Sequence, residues 1–231
     1  MTGNHFLHDL GRRSLFGLAM LATTLCPALC RAQDKTNSAK WEKEIAAFEK
    51  QDKARMPAEG GIVFVGSSTI RFWDLKKSFP DLDAINRGFG GSHLADSVHF
   101  APRIVLKYKP RLIVLYAGDN DIAAHKTPEK VAADFREFAT LVHKDLPATK
   151  IIFLSIKPSV KRWNLWDQAQ KANSMIEAFC KEHPECVYVD TSPIILAQDG
   201  KPQADLFRAD GLHLNEKGYE LLAKTVKPYL N

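Results

Sequence analysis

The chain has 231 residues, enough for one domain with a substantial core, and its 45% hydrophobic and 26% charged residues are ordinary for a globular protein. The formal charge of +5 falls to +3 once the first 32 residues, with Arg12, Arg13 and Arg31 against Asp9, are set aside. That mild excess, spread over scattered lysines, excludes nucleic acid and an anionic membrane surface as the expected partner.

The first element is an address. "GRRSLFGLAMLATTLCPALCRAQ" has two arginines, an uncharged stretch from Ser14 to Cys30, and then Cys30-Arg31-Ala32 as a signal-peptidase site. The stretch is short for a membrane span and contains Pro27, so residues 1–32 are expected to be a bacterial-type signal peptide that is removed. Arg12-Arg13 loosely resembles a twin-arginine signal. The mature chain is therefore expected in the periplasm or secreted, with no stable membrane insertion. It keeps only Cys180 and Cys186, in "FCKEHPEC". An oxidising compartment allows a disulfide there, and two independent, partly buried thiols are the alternative. The spacing lacks the C-x-x-C pairs and nearby histidines of a zinc site, so no metal is expected.

Residues 33–60 read as a polar lead-in followed by a helix, with Trp41, Ile45 and Phe48 at helical spacing up to about Met56. Residues 61–231 read as a single domain. "IVFVG" after Gly60-Gly61 is a short apolar run, followed by "AIN" at Ile85, "RLIVLYAG" at 111–118, "KIIFLSI" at 150–156 and "CVYVD" at 186–190. Helical patterns separate them. "HLADSVHFAPRIVLKY" is interrupted by Pro102. "TPEKVAADFREFATLVHKDL" has Thr127 as N-cap and Pro128 at the first helical position. "LWDQAQKANSMIEAFCKE" is a third, and "NEKGYELLAKTVKPYL", capped by Asn215, closes the chain.

Strands apolar on both faces and alternating with helices predict a parallel sheet covered on both sides. The expected fold is α/β: a three-layer α/β/α sandwich on a flavodoxin-like five-stranded parallel sheet of order 2-1-3-4-5. Ligands of such sheets bind outside the carboxyl ends of the strands. The segments expected on that rim are Gly66-Ser67-Ser68-Thr69, "NRGFGGS" with Gly88, Gly90 and Gly91, "AGDND" with Asn120 and Asp121, and "DGLH" with Asp210 and His213. Taken together they supply a hydroxyl, an imidazole, a carboxylate, an amide and flexible backbone, the inventory for attack of serine on an acyl carbonyl.

Taken singly, each segment has a plain structural use. Ser67 or Ser68 alone reads as a helix N-cap, the glycines as tight turns, Asn120 and Asp121 as capping residues, and His213 as a structural histidine. The other histidines, among them His93 and His143, show no metal-like spacing. Trp73, Trp163 and Trp166 read equally as lining of an acyl pocket or as core.

Four blocks in order resemble the SGNH hydrolases, the GDSL esterase and lipase superfamily, in particular its bacterial branch similar to platelet-activating-factor acetylhydrolase. The resemblance places Gly66-Ser67-Ser68 on the family's Gly-Asp-Ser, which implies Ser68 as nucleophile with Ser67 as its rival. It implies Gly91 and Asn120, with the N–H of Ser68, as an oxyanion hole, and matches Gly118-Asp119-Asn120-Asp121 and Asp210-x-x-His213 in full. Ser67 and Ser92 stand where the family usually has aspartate. His213 is then the base that activates Ser68, and Asp210 fixes the imidazole's tautomer.

The function implied is a cofactor-free serine esterase that cleaves small acyl esters, acetyl or short-chain, of carbohydrates or lipids through an acyl-enzyme. Two other readings fit the same sheet: a non-catalytic carbohydrate-binding relative, and a flavodoxin-like protein that binds FMN or a phosphate. An α/β-hydrolase is disfavoured because no G-x-S-x-G occurs.

Overall fold

The computed structural model describes residues 38–231; the expected signal peptide lies outside the described residues. The five apolar runs form β1 (Ile62–Gly66), β2 (Ala84–Gly88), β3 (Leu112–Tyr116), β4 (Lys150–Leu154) and β5 (Cys186–Val189). All four pairings are parallel and the order is β2-β1-β3-β4-β5, the order expected from sequence.

The period of two along each strand sorts side chains onto two cores. Val63, Val65, Ile113, Leu115, Ile151 and Phe153 face one side. Four helices cover them: α1 (Glu42–Ala54), α4 (Leu94–Ile104), α6 (Pro128–Asp145) and α7 (Trp166–Glu182). Ile62, Phe64, Leu112, Val114, Tyr116, Ile152 and Leu154 face the other side. That face packs against the short helices α2 (Ser68–Arg71) and α3 (Leu75–Ser78) and against α8 (Glu216–Val226). A third short helix, α5 (Asp119–Ala123), follows β3 on the carboxyl rim. Thr127 and Asn215 accept hydrogen bonds from the N–H groups of Lys130 and Gly218, the caps that the sequence predicts for α6 and α8.

Pro102 does not interrupt α4. The helix runs on to Ile104 and ends where Val105 takes φ −133°. Proline there removes one N–H in the last turn, so the loss is small and the end lies two residues later.

The helix expected within residues 33–60 is α1, and it belongs to the core: Ile45 is fully buried. A buried polar network anchors it. Arg87 of β2 donates to Asp52 Oδ1 at 2.6 Å and to the Tyr108 hydroxyl at 2.8 Å, and Tyr108 donates to Asp52 Oδ2 at 2.6 Å. The Lys107 ammonium lies 2.5 Å from the same carboxylate. Burial alone would raise the Asp52 pKa, but the bonds from Lys107 and Tyr108 and the charge of Arg87 outweigh it and hold the pKa below the usual carboxylate value.

Asp52 therefore stabilises the fold fully above the usual carboxylate pKa, and that contribution is lost as the pH falls through its depressed value. Asp52→Asn leaves two cations without their counter-charge and is expected to cost about 3 kcal/mol near neutral pH, or a Tm about 6–12 °C lower. Thermal unfolding across the acidic range checks this: the gap between wild type and variant should narrow as the pH falls.

Candidate active site

β1 ends on a glycine because nothing larger fits. Gly66 has φ 131°, and a Cβ there would stand 1.9 Å from the Tyr116 carbonyl oxygen of β3. The chain then turns directly into α2. Ser67, at the N-cap, is fully buried and its hydroxyl has no hydrogen-bond partner among the described residues. Ser68, the first residue of the helix, turns outward, with Oγ 3.1 Å from Nε2 of His213.

His213 comes from a turn far along the chain. Residues 207 and 214 pair as an antiparallel bridge, and Asp210 to His213 form the tip between them. Asp210 Oδ2 lies 2.6 Å from His213 Nδ1, while its Oδ1 accepts the backbone N–H groups of Leu212 and His213, both at 2.9 Å. The His213 side-chain bond, followed by the two backbone donors, holds the Asp210 carboxyl well below the usual carboxylate range. Three backbone contacts fix the tip: Lys157 Nζ donates to the Leu212 carbonyl at 3.1 Å, Lys161 N–H to that of Gly211 at 3.0 Å, and Arg208 N–H to that of His213 at 2.8 Å. Lys157 is itself buried, and desolvation pulls its pKa down. The Phe72 ring meets the imidazole edge-on at 5.1 Å, and the Arg208 guanidinium lies 4.6 Å over Phe72.

The β2 and β3 loops meet beside Ser68. Gly91, at φ 76°, sits under the Trp41 ring, which a Cβ would approach to 3.3 Å. Asn120 bridges the two loops: its Nδ2 donates to the Ser92 carbonyl at 3.1 Å and its Oδ1 accepts from Arg162 at 3.0 Å. These bonds fix the amide's orientation and leave its second N–H available. Arg162 also pairs with Asp119 at 3.0 Å. Asp121 faces inward. It is fully buried, its carboxyl pKa is raised by desolvation against the opposing charges of Lys126 and His93, and it accepts the Leu94 N–H that opens α4 at 3.2 Å. Asp121 therefore ties two rim loops together and plays a structural part.

The structure thus brings Ser68, Asp210 and His213 into one hydrogen-bonded chain, with Gly91 and Asn120 on the adjoining loops. Trp73 is buried against Phe64, Phe79 and Tyr219, and Trp166 is buried in the opposite core beside Trp163. Cys180 and Cys186 are buried free thiols. Sequence reading missed Lys157 and Arg162, both on the segment after β4. The rule that ligands gather at the carboxyl ends of strands points to that segment as much as to the others. Phe72 and Arg208 carry no signal of their own in the sequence.

A groove of about 550 Å³ lies between α3 and α8; Phe72 and Arg208 line it, while Ser68, Asp210 and His213 do not. Phe72, Trp73 and Tyr219 form its apolar part, and Lys77, Arg208 and Lys224 are among its charged walls.

The family model for GDSL-like lipases and acylhydrolases matches residues 70–221, more than half of the chain. The match begins two residues after Ser68. No curated protein matches the chain. Among solved structures, a Streptococcus pneumonia protein provisionally named as a platelet activating factor is 21% identical with TM-score 0.75, covering 89% of this chain and 100% of its own. A GDSL-like lipase from Bacteroides thetaiotaomicron is 22% identical with TM-score 0.65, covering 84% and 97%. A catalytic mutant of an acetylxylan esterase from Geobacillus stearothermophilus is 16% identical with TM-score 0.60, covering 75% and 95%.

Proposed function

The chain belongs to the GDSL-like lipase/acylhydrolase family, a family of carboxylic ester hydrolases, and on that premise we propose that it cleaves acetyl or short-chain acyl esters through an acyl-enzyme on Ser68. The observation that carries this is the chain Ser68 Oγ, His213 Nε2, His213 Nδ1, Asp210 Oδ2, with contacts of 3.1 and 2.6 Å. A serine hydroxyl is a weak nucleophile unless a base stands within hydrogen-bond reach, and here one does.

In the forward step Ser68 Oγ attacks the acyl carbon while His213 Nε2 takes the hydroxyl proton. Asp210, its carboxyl held below the usual carboxylate range by the N–H groups it accepts, stabilises the imidazolium through Nδ1. The oxyanion would meet the backbone N–H of Ser68 and of Gly91 and the free N–H of Asn120; each such donor typically lowers the barrier by about 3 kcal/mol. Collapse breaks the bond to the alcohol, which leaves with the proton from His213. Water then enters and gives a proton to His213 as it attacks the acyl carbon; the acyl–Oγ bond breaks as His213 returns that proton to Ser68 Oγ, which releases the acid and the free serine.

The acceptor side is proposed to be a carbohydrate or a lipid headgroup. The side chains of His213 and Asp210 are 25% and 40% exposed, so a bulky alcohol can approach the site. Phe72, exposed and in edge-on contact with His213, offers such a group an apolar face. The Geobacillus esterase, named for acetylxylan, has serine and histidine variants that are each described as catalytic mutants, in keeping with this reading. The same reading sets the reaction outside the cytoplasm, with residues 1–32 directing export. A p-nitrophenyl ester series tests the acyl preference: kcat/KM is expected to be highest at acetate to butyrate and to fall with each longer chain. A maximum at the longest esters would overturn the short-chain assignment.

A further inference from the structure

A second cluster of chemically capable side chains lies at the opposite edge of the sheet, where strands begin. His143, near the end of α6, Glu185, just before β5, and Cys186, the first residue of β5, each present a donor atom, and these atoms lie within 4.8 Å of one another. Among the described residues this is the one such group of His, Cys, Asp and Glu donors. His143 Nδ1 is 3.8 Å from Glu185 Oε1.

Two further features adjoin the cluster. The other ring nitrogen of His143, Nε2, lies 2.9 Å from the Thr149 carbonyl oxygen, an acceptor, so it must carry the proton. That fixes the tautomer with a bare lone pair on Nδ1, aimed at Glu185 and Cys186. A backbone or carboxylate partner on the distal nitrogen is the usual support of a metal-bound histidine. Thr149 is itself held, donating through Oγ1 to the Pro110 carbonyl at 2.6 Å. The second feature is Cys180, in the last turn of α7, a buried free thiol that neighbours Cys186 on the core side of the cluster without being one of its three donors. One nitrogen, one carboxylate and one sulfur therefore converge from the end of α6 and the start of β5.

We propose that His143 Nδ1, Glu185 and Cys186 form a structural site for a single zinc-class divalent cation, with solvent as the fourth ligand, that clamps the end of α6 to the start of β5. Nitrogen and thiolate donors with one carboxylate select such an ion over magnesium or calcium. Bond lengths of about 2.0–2.3 Å place tetrahedral ligands about 3.5 Å apart, so side-chain rotation of an ångström or so closes the cluster on the ion. On binding, the Cys186 thiol gives its proton to solvent and the thiolate sulfur donates to the metal. The spacing "FCKEHPEC" hides the site because its histidine arrives from a helix some forty residues earlier. The site is remote from Ser68, and the proposal does not depend on the esterase reading.

The test is cobalt substitution in the purified, chelator-stripped and reduced protein. Co2+ should produce thiolate-to-metal charge-transfer absorption that saturates at one equivalent, and Zn2+ should displace it. Cys186→Ser should lose the charge-transfer band. The partly exposed His143→Gln and Glu185→Gln, which are less apt to disturb folding than the buried cysteine, should each weaken binding at least about tenfold. Zn2+ should raise the Tm of wild type and not that of His143→Gln, while esterase rates stay equal in all of them. No charge-transfer absorption, or the same metal uptake in His143→Gln and Cys186→Ser, would overturn the proposal. So would protein purified without reductant that carries a Cys180–Cys186 disulfide and no metal.

Discussion

Ser68→Ala is expected to lower kcat on p-nitrophenyl acetate by at least about 10,000-fold while leaving the Tm almost unchanged. The hydroxyl makes one hydrogen bond to His213 at the rim of the sheet and fills no core space, so its removal costs chemistry and little stability. Ser67→Ala gives the opposite result. The Ser67 hydroxyl is buried and has no partner among the described residues, and an unsatisfied buried hydroxyl is unfavourable by about 1–3 kcal/mol. Alanine there should leave kcat within a few fold and hold or raise stability. The two neighbouring serines thus provide a reaction test and its internal control in consecutive positions.

Asp210→Asn is the second large effect, with kcat expected to fall about 1,000-fold or more. The carboxylate accepts from Nδ1 of His213 and so places the imidazole lone pair on Nε2, facing Ser68. An asparagine that donates through its amide would instead put the proton on Nε2, and the ring would no longer take the serine's proton. Asp210 accepts three N–H groups, which hold its carboxyl below the ordinary carboxylate range. Loss of wild-type activity within that ordinary range is therefore expected to come from another group, and kcat measured against pH in both proteins checks the assignment. The carboxylate's contribution to stability has the matching sign. It is present above the ordinary carboxylate pKa and lost only as the pH falls through the depressed one, and solvent screening at this exposed site keeps it modest.

Much of the fold is legible because apolar runs on doubly covered strands leave few alternatives. β1 and β3 are buried at every residue, and both stand out in the sequence as "IVFVG" and "LIVLY". β2 is harder to see. As an edge strand with half-exposed Ala84, Ile85 and Asn86 it shows only three suggestive letters. α2 and α3 have four residues each, too few for a helical period to register. The site's polar blocks are legible because each follows a strand or precedes the last helix, where the topology collects them.

What escapes is contact between distant segments. Nothing local says that Ser68 turns outward while Ser67 turns in. Nothing local says that Arg162 steadies Asn120 or that Lys157 props the turn carrying His213. Asp121 shows the reverse error of emphasis. It sits in a matched block, yet its full burial and its bond to Leu94 make it a brace between loops.

The central claim is that one serine, activated by His213 and Asp210, becomes covalently acylated. The most direct measurement is intact-mass and peptide mapping after treatment with a fluorophosphonate, which captures an activated serine and spares an idle one. The account predicts a single adduct on Ser68, absent in Ser68→Ala and slowed sharply in His213→Ala. An adduct on Ser67, or labelling at equal rate when His213 is removed, would contradict it.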